Sequence, residues 1–166
     1  MKRAYFAGGC FWCITPTFAE LAGVEEVVSG YSGGDEANPV YADVKAQRTG
    51  HRETIAVSYD PAAVSYEELL EIFLGGVDPF DDGGQYIDRG HSYTLAIYYE
   101  EDAERLAAEA ALSALAAESG ETPAVAVEPF RGFYPAEEEH QDYYRKHPEE
   151  FRQELLDSGR LKEQDA

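Results

Sequence analysis

Lys2-Arg3-Ala4-Tyr5-Phe6-Ala7-Gly8-Gly9-Cys10-Phe11-Trp12-Cys13 opens the chain, and this stretch decides how the rest folds. Lys2 to Ala7 predicts a short buried strand, which Gly8-Gly9 ends. A helix follows, with Phe18, Leu21 and Ala22 turned inward and a stop at Gly23. Pro16 leaves the helix start open, because proline suits a first turn and not the turns beyond it. Cys10 therefore lies at a strand-to-helix junction.

Working outward, Val24 to Tyr31 predicts a second strand, closed by Ser32-Gly33-Gly34. A polar loop runs from Asp35 to Arg52. Glu53 to Tyr59 alternates apolar and polar residues as a third strand does. Ser65 with Glu68 forms a capping box before the stripe Tyr66, Leu69, Leu70, Phe73, Leu74 and Val77, which predicts a helix packed on a sheet. Asp78 to Gly90 is a long loop and Tyr93 to Tyr99 a fourth strand. Ala103, Leu106, Ala107, Ala110, Ala111, Ala114 and Leu115 mark a further helix, and Ala124 to Val127 a fifth strand. Helical pieces near Pro135 to Arg145 and Pro148 to Leu156 interrupt an aromatic, charged end. The order β-α-β-β-α-β-α-β predicts an α+β fold: a split-βαβ (ferredoxin-like) sheet with an added helix and strand, then an irregular aromatic C-terminal tail. With no repeat or linker, residues 1–166 read as a single domain.

Composition narrows the function classes. Hydrophobic residues make up 44% and aromatics 13%, which is enough to build a core and argues against wholesale disorder. Thirteen Lys plus Arg against 33 Asp plus Glu give a formal charge of −20, a field that repels nucleic acid and anionic membranes. The acidity is spread along the chain and reads as solubility. No apolar stretch is long enough for a bilayer, and the basic start lacks an apolar signal region. A cytoplasmic monomer without nucleic-acid or membrane partners is expected.

The only cysteines are Cys10 and Cys13. They cannot form a secreted disulfide framework, and His51, His91, His140 and His147 are too scattered to complete a zinc site, so no metal is expected. Redox or nucleophilic chemistry remains. At a helix start, backbone N–H groups and the helix dipole lower a thiol's pKa, which predicts a reactive thiolate at Cys10. Phe11 and Trp12 beside it either form a flat apolar cup, suited to a methyl on sulfur, or belong to the core. A C-x-x-C at such a junction is also the layout of thiol-disulfide exchangers.

Further motifs bring a resemblance. Gly9-Cys10-Phe11-Trp12 resembles the signature of the A-type peptide-methionine sulfoxide reductases. Gly30-Tyr31-Ser32-Gly33-Gly34 with Asn38-Pro39-Val40-Tyr41-Ala42-Asp43-Val44 is similar to that family's second block. Thr49-Gly50-His51-Arg52-Glu53 leading to Tyr59-Asp60-Pro61 is similar to its third. Gln85 through Tyr93, and Phe133-Tyr134-Pro135-Ala136-Glu137 through His140-Gln141, extend the match from about Tyr5 to Pro148. The resemblance implies that Cys10 attacks the sulfur of methionine S-sulfoxide, free or in proteins, and becomes a sulfenic acid. Glu53 would be the acid, its pKa raised by burial. Tyr41 and Tyr93 would hydrogen-bond the sulfoxide oxygen, and Asp88 would order the pocket or serve only its loop. Phe11 and Trp12 would bind substrate. His51 and His140 would be supporting residues. No cofactor is implied beyond thioredoxin or another thiol as electron source.

The chain departs from the family's pattern in three places. Many members have Gly at the position of Cys13, and many carry resolving cysteines in a C-terminal tail or after the Tyr41 block. Here Lys45 follows Val44, and residues 149–166 contain no cysteine. The family's fourth block usually opens with His-Asp-Pro, where Val77 precedes Asp78-Pro79. Either Cys13 resolves the sulfenic acid by a disulfide to Cys10, or Cys13 is silent and an external thiol acts directly. Side chains three apart on a helix have Cβ atoms about 5–6 Å apart, against about 3.8 Å in a disulfide, so the bridge requires a distorted first turn. Two other functions stay open: a thioredoxin-like thiol-disulfide oxidoreductase using Cys10 and Cys13, and an acidic binding module.

Overall fold

A computed structural model describes residues 1–160; the last six residues of the expected domain lie outside the described residues. Strand β1 (Lys2–Gly8) leads into helix α1 (Phe11–Ala19), then β2 (Val24–Ser32), α2 (Tyr41–Lys45), β3 (Arg52–Tyr59) and α3 (Tyr66–Gly75). A small hairpin of β4 (Gly84–Gln85) and β5 (Asp88–Arg89) precedes β6 (Leu95–Tyr99), α4 (Asp102–Ser119) and β7 (Val125–Pro129). The chain continues through β8 (Phe133–Pro135), α5 (Tyr143–Lys146) and α6 (Pro148–Ser158). Six strands form one sheet in the order β7-β6-β1-β3-β2-β8, with β6 and β7 parallel and the other neighbours antiparallel. The fold is mixed α/β around a mixed sheet.

Strand alternation divides the core between the two faces of the sheet. Ala4 and Phe6 of β1 join Phe11, Phe18, Ile55, Leu69, Leu70 and Phe73 beneath the helices. Tyr5 and Ala7 point to the opposite face, with Ala56, Ala96 and Tyr98. There Phe130 stacks on Tyr5 at 4.1 Å. Helix α3 begins at the Ser65–Glu68 capping box, in which the Ser65 hydroxyl accepts the Glu68 N–H at 3.1 Å.

Four local expectations are corrected. Helix α1 starts at Phe11 and carries Pro16 in its interior, so it ends early and leaves Ala22 exposed. The Thr15 hydroxyl donates to the Phe11 carbonyl at 2.6 Å, adding a side-chain bond inside the turn that holds the proline. In α4, Ala103, Leu106, Ala110 and Ala114 face solvent, while Ala108 and Glu104 are buried. Alanines on both sides of a helix leave its inward face undetermined by pattern. Glu104 is buried because its carboxylate caps its own helix, accepting the Glu100 N–H at 2.7 Å. The polar loop after Asp35 contains α2, anchored by fully buried Val44.

The tail is the fourth correction, since it is ordered where irregular chain was expected. Strand β8 pairs with β2 through Tyr31 and Tyr134, covering what would otherwise be the sheet edge. The Gln141 side chain then clasps β2 at one residue: its carbonyl accepts the Ser29 N–H at 2.9 Å and its amide donates to the Ser29 carbonyl at 2.8 Å. Neither contact has a sequence-local signature, because the partners are more than a hundred residues apart. Gly30 permits the pairing, since a Cβ there would run into the Phe133 ring and the Tyr134 carbonyl. Gly30→Ala is expected to destabilise the fold by about 1–3 kcal/mol through overpacking, seen as a lowered urea midpoint with little change in slope.

Candidate active site

Cys10 caps the start of α1, and Gly9 before it adopts a φ of +86°, a left-handed conformation that glycine supplies without strain. A side chain at Gly9 would also meet Gln85, whose Cβ lies 2.8 Å from where the added carbon would sit. Gln85 is itself buried and pins the loop by accepting the Asp78 N–H and donating to the Asp78 carbonyl. Strand β1, the glycine turn and the loop after Asp78 thus fix the cysteine backbone.

Glu53 on β3 reaches the same point. Its Oε1 accepts the N–H of Phe11 at 3.1 Å, one of the orphan donors of the helix start. Its Oε2 is buried without a partner among the described residues. Burial pushes the Glu53 pKa up to about 8, against the opposing pull of the Phe11 N–H. A neutral carboxylic acid therefore faces Cys10 at neutral pH.

The thiol departs from expectation. Cys10 is only 5% exposed. Its pKa is pushed well above the ordinary thiol value by the neighbouring Cys13 thiol, by burial, and by the fields of Glu53 and Asp88. The helix-start effect predicted a lowered value. Here the loss of water and the negative neighbours outweigh a partial dipole charge, so the resting site holds a thiol. Both cysteines are free.

Aromatic rings wall the site. Phe11 is fully buried and belongs to the core, whereas Trp12 is half-buried with its indole N–H unpaired among the described residues. The Trp12 ring lies 5.9 Å from Tyr41 and 5.6 Å from His140, and Tyr143 of α5 stacks on it at 4.1 Å. Tyr41 and Tyr93 are both protected from ionisation by burial and by the charge of Glu53, so they remain hydrogen-bond donors. Asp88 sits on β5 and is bound to Arg160 at 3.3 Å, whose guanidinium also covers the Tyr86 ring. Cys10, Cys13, Glu53, Tyr41, Tyr93, Asp88, Phe11 and Trp12 therefore converge from five separate segments.

Of the remaining candidates, His51 ties loops together, its Nδ1 accepting the Gly34 N–H at 3.2 Å. Sequence reasoning did not single out Tyr31, Tyr143, Glu154 or Arg160, which stand among the site's surroundings, nor the role of Glu137. Tyr31 and Glu137 lay within quoted motifs, but neither motif carried a physical signal for these two residues.

A buried cysteine with a half-buried second cysteine beside it, facing a neutral acid and two neutral phenols in a mixed α/β fold, defines a thiol-based oxidoreductase. Comparison with known proteins narrows the class. A family model described as peptide methionine sulfoxide reductase matches residues 2–165. The peptide methionine sulfoxide reductase MsrA of Bacillus licheniformis is 46% identical over 162 residues, covering 96% of this chain and 89% of that protein. The crystal structure of reduced Mxr1 from Saccharomyces cerevisiae superposes with a TM-score of 0.84 at 28% identity, over 89% of this chain and 86% of that one. Mxr1 in complex with Trx2 shares the fold at a TM-score of 0.56 and 19% identity, over 86% of this chain and 84% of that one. The chain belongs to the peptide methionine sulfoxide reductase family, and is an oxidoreductase that reduces methionine sulfoxide.

The Glu53 proton has a consequence for stability. Between the ordinary glutamate value of 4.5 and about 8, the folded chain keeps a proton that the unfolded chain releases. Its stabilising contribution is complete at low pH and is lost as pH rises through that window. Glu53→Gln removes this dependence, so urea unfolding at about pH 5 and about pH 8 should show the variant gaining on wild type as pH rises.

Proposed function

We propose that Cys10 is the nucleophile that removes oxygen from methionine S-sulfoxide, with Glu53 as its acid and Cys13 as the thiol that resolves the product. The observation that carries this reading is the Glu53 carboxyl: buried, neutral to about pH 8, and presenting an unpaired oxygen beside Cys10. Sulfoxide oxygen is a poor leaving group until protonated, and Glu53 supplies that proton as the Cys10 sulfur attacks the substrate sulfur. The hydroxyls of Tyr41 and Tyr93 donate to the oxygen as negative charge develops on it. Attack forms an S–S bond to the substrate sulfur as its protonated oxygen leaves; delivery of that oxygen as hydroxide to the Cys10 sulfur then breaks the S–S bond and frees methionine. The proton of the Cys10 thiol returns to Glu53, so methionine and a sulfenic acid are the only products.

Cys13 then attacks the sulfenic sulfur, forming a disulfide with Cys10 and releasing water. Its place supports this step, because the two thiols are neighbours in the first turn of α1. The disulfide is returned to two thiols by two electrons from an external thiol, and we infer a thioredoxin or a small thiol in this role. Cys13 suits its approach, since it lines a surface cavity of about 170 Å³ that Cys10 does not reach. Trp12, backed by the buried Phe11 ring, would receive the S-methyl group, free or in a peptide, and Asp88 would order the pocket through Arg160.

The same reading takes the chain as one monomeric domain working in the cytoplasm, where both thiols stay reduced between turnovers. The four strands β6-β1-β3-β2, with α1 and α3 as their crossings, are consistent with a split-βαβ plan extended by α4 and β7. General disulfide exchange is less well served by this geometry, because it needs an accessible thiolate and Cys10 is a buried thiol.

Two outcomes test the chemistry. After one turnover without reductant, mass spectrometry is expected to show a loss of about 2 Da, while Cys13→Ser should instead retain an adduct of about 16 Da. Glu53→Ala is expected to slow sulfoxide reduction by roughly two orders of magnitude, and Cys10→Ser to abolish it. A wild-type rate in Glu53→Ala would remove that residue from its role.

A further inference from the structure

Glu137 stands outside the reacting groups, yet it holds two of the residues that surround them. It lies just after β8 and is half-buried. Its Oε1 accepts the Tyr31 hydroxyl at 2.8 Å and its Oε2 accepts the backbone N–H of Tyr41 at 3.1 Å. Both carboxylate oxygens are thereby engaged with donors 106 and 96 residues away in the chain.

Each bond meets a specific need. Tyr41 is the first residue of α2, and Val40 before it provides no side-chain cap. The free N–H of Tyr41 is an orphan of the helix start, and Glu137 satisfies it from another part of the fold. Tyr31 is fully buried on β2, opposite Glu53 in the β2–β3 register, and its ring lies 5.9 Å from that of Phe11. The His140 ring, three residues after Glu137, stacks on Tyr41 at 4.1 Å. The tail itself is clamped on both sides of Glu137: Ala136 donates its N–H to the Ser29 carbonyl at 2.8 Å, and Gln141 grips Ser29 as described.

We propose that Glu137 is a positioning residue, which holds the start of α2 and the Tyr31 hydroxyl so that Tyr41 presents its phenol to the substrate oxygen. This rests on the reading of Tyr41 as a donor to that oxygen. Val44 anchors the far half of this five-residue helix, but its uncapped start is held by Glu137, and a shift of about 1 Å in such a donor is enough to cost up to a hundredfold in rate. Glu137 is suited to the task because it stays ionised. Burial alone would raise its pKa, but its own N–H, that of Tyr41 and the Tyr31 hydroxyl together bring it below the ordinary value. It is therefore a charged acceptor across the working pH range, while Glu53 is a neutral donor.

The test is a double-mutant cycle on the single-turnover oxidation of Cys10 by methionine sulfoxide, without reductant. Tyr41→Phe and Glu137→Gln are each expected to slow this step by about tenfold or more. In the double variant the loss should stay within about twofold of Tyr41→Phe alone, because a positioner has nothing left to position. Alkylation of Cys10 by iodoacetamide, which uses neither tyrosine, should change by less than about twofold in Glu137→Gln. Should that variant fail to fold, Tyr31→Phe removes one of the two bonds alone and is expected to show the same non-additivity at smaller size.

Three outcomes would overturn the inference: losses that multiply in the double variant, a wild-type rate in Glu137→Gln, or alkylation altered as much as turnover. A wild-type rate in Tyr41→Phe would overturn the reading of Tyr41 itself, and the two failures are told apart by that single variant.

Discussion

The hydrogen bond from the Phe11 N–H to the Glu53 carboxyl is the contact on which the rest depends. It joins β3 to the first turn of α1, and so sets an acid from the middle of the sheet against the cysteine that caps the helix. Burying a carboxyl with one donor instead of several leaves it costly to ionise, which keeps the proton on it near neutral pH. The Cys13 thiol and the same burial keep Cys10 as a thiol. The resting site is thus nearly uncharged at its centre, in a protein whose formal charge is −20.

Two carboxyls a few residues from the same aromatic wall are driven to opposite states by what they touch. Glu53 is cut off from water with one backbone donor and the field of Asp88 nearby, and stays protonated. Glu137 meets a phenol and backbone N–H groups, and stays ionised. One can then give a proton while the other can only accept hydrogen bonds, a division of labour set by local donors and not by residue type. The tail is what makes this possible, because it brings Glu137, His140 and Tyr143 to the wall after β8 has closed the sheet edge.

Much of this was legible along the chain wherever the cause is local. The β1–Gly-Gly–Cys10 junction, the Ser65–Glu68 cap and the alternation of β3 are all written within a few residues, and each occurs where the pattern places it. The inward face of α4 was not legible, because alanine fits either side of a helix. Helix α2 and strand β8 were not legible either, since each depends on a partner about a hundred residues away.

The sequence by itself determined the alternation of strands and helices, the position of the cysteine pair at a helix start, and the family, since these follow from short-range propensity and ordered motifs. Tertiary structure alone decided the protonation states. A helix start predicts a thiolate at Cys10, but the enclosing walls and the Cys13, Glu53 and Asp88 groups reverse that. Solvation and Coulomb fields depend on distances in space, which no local pattern contains.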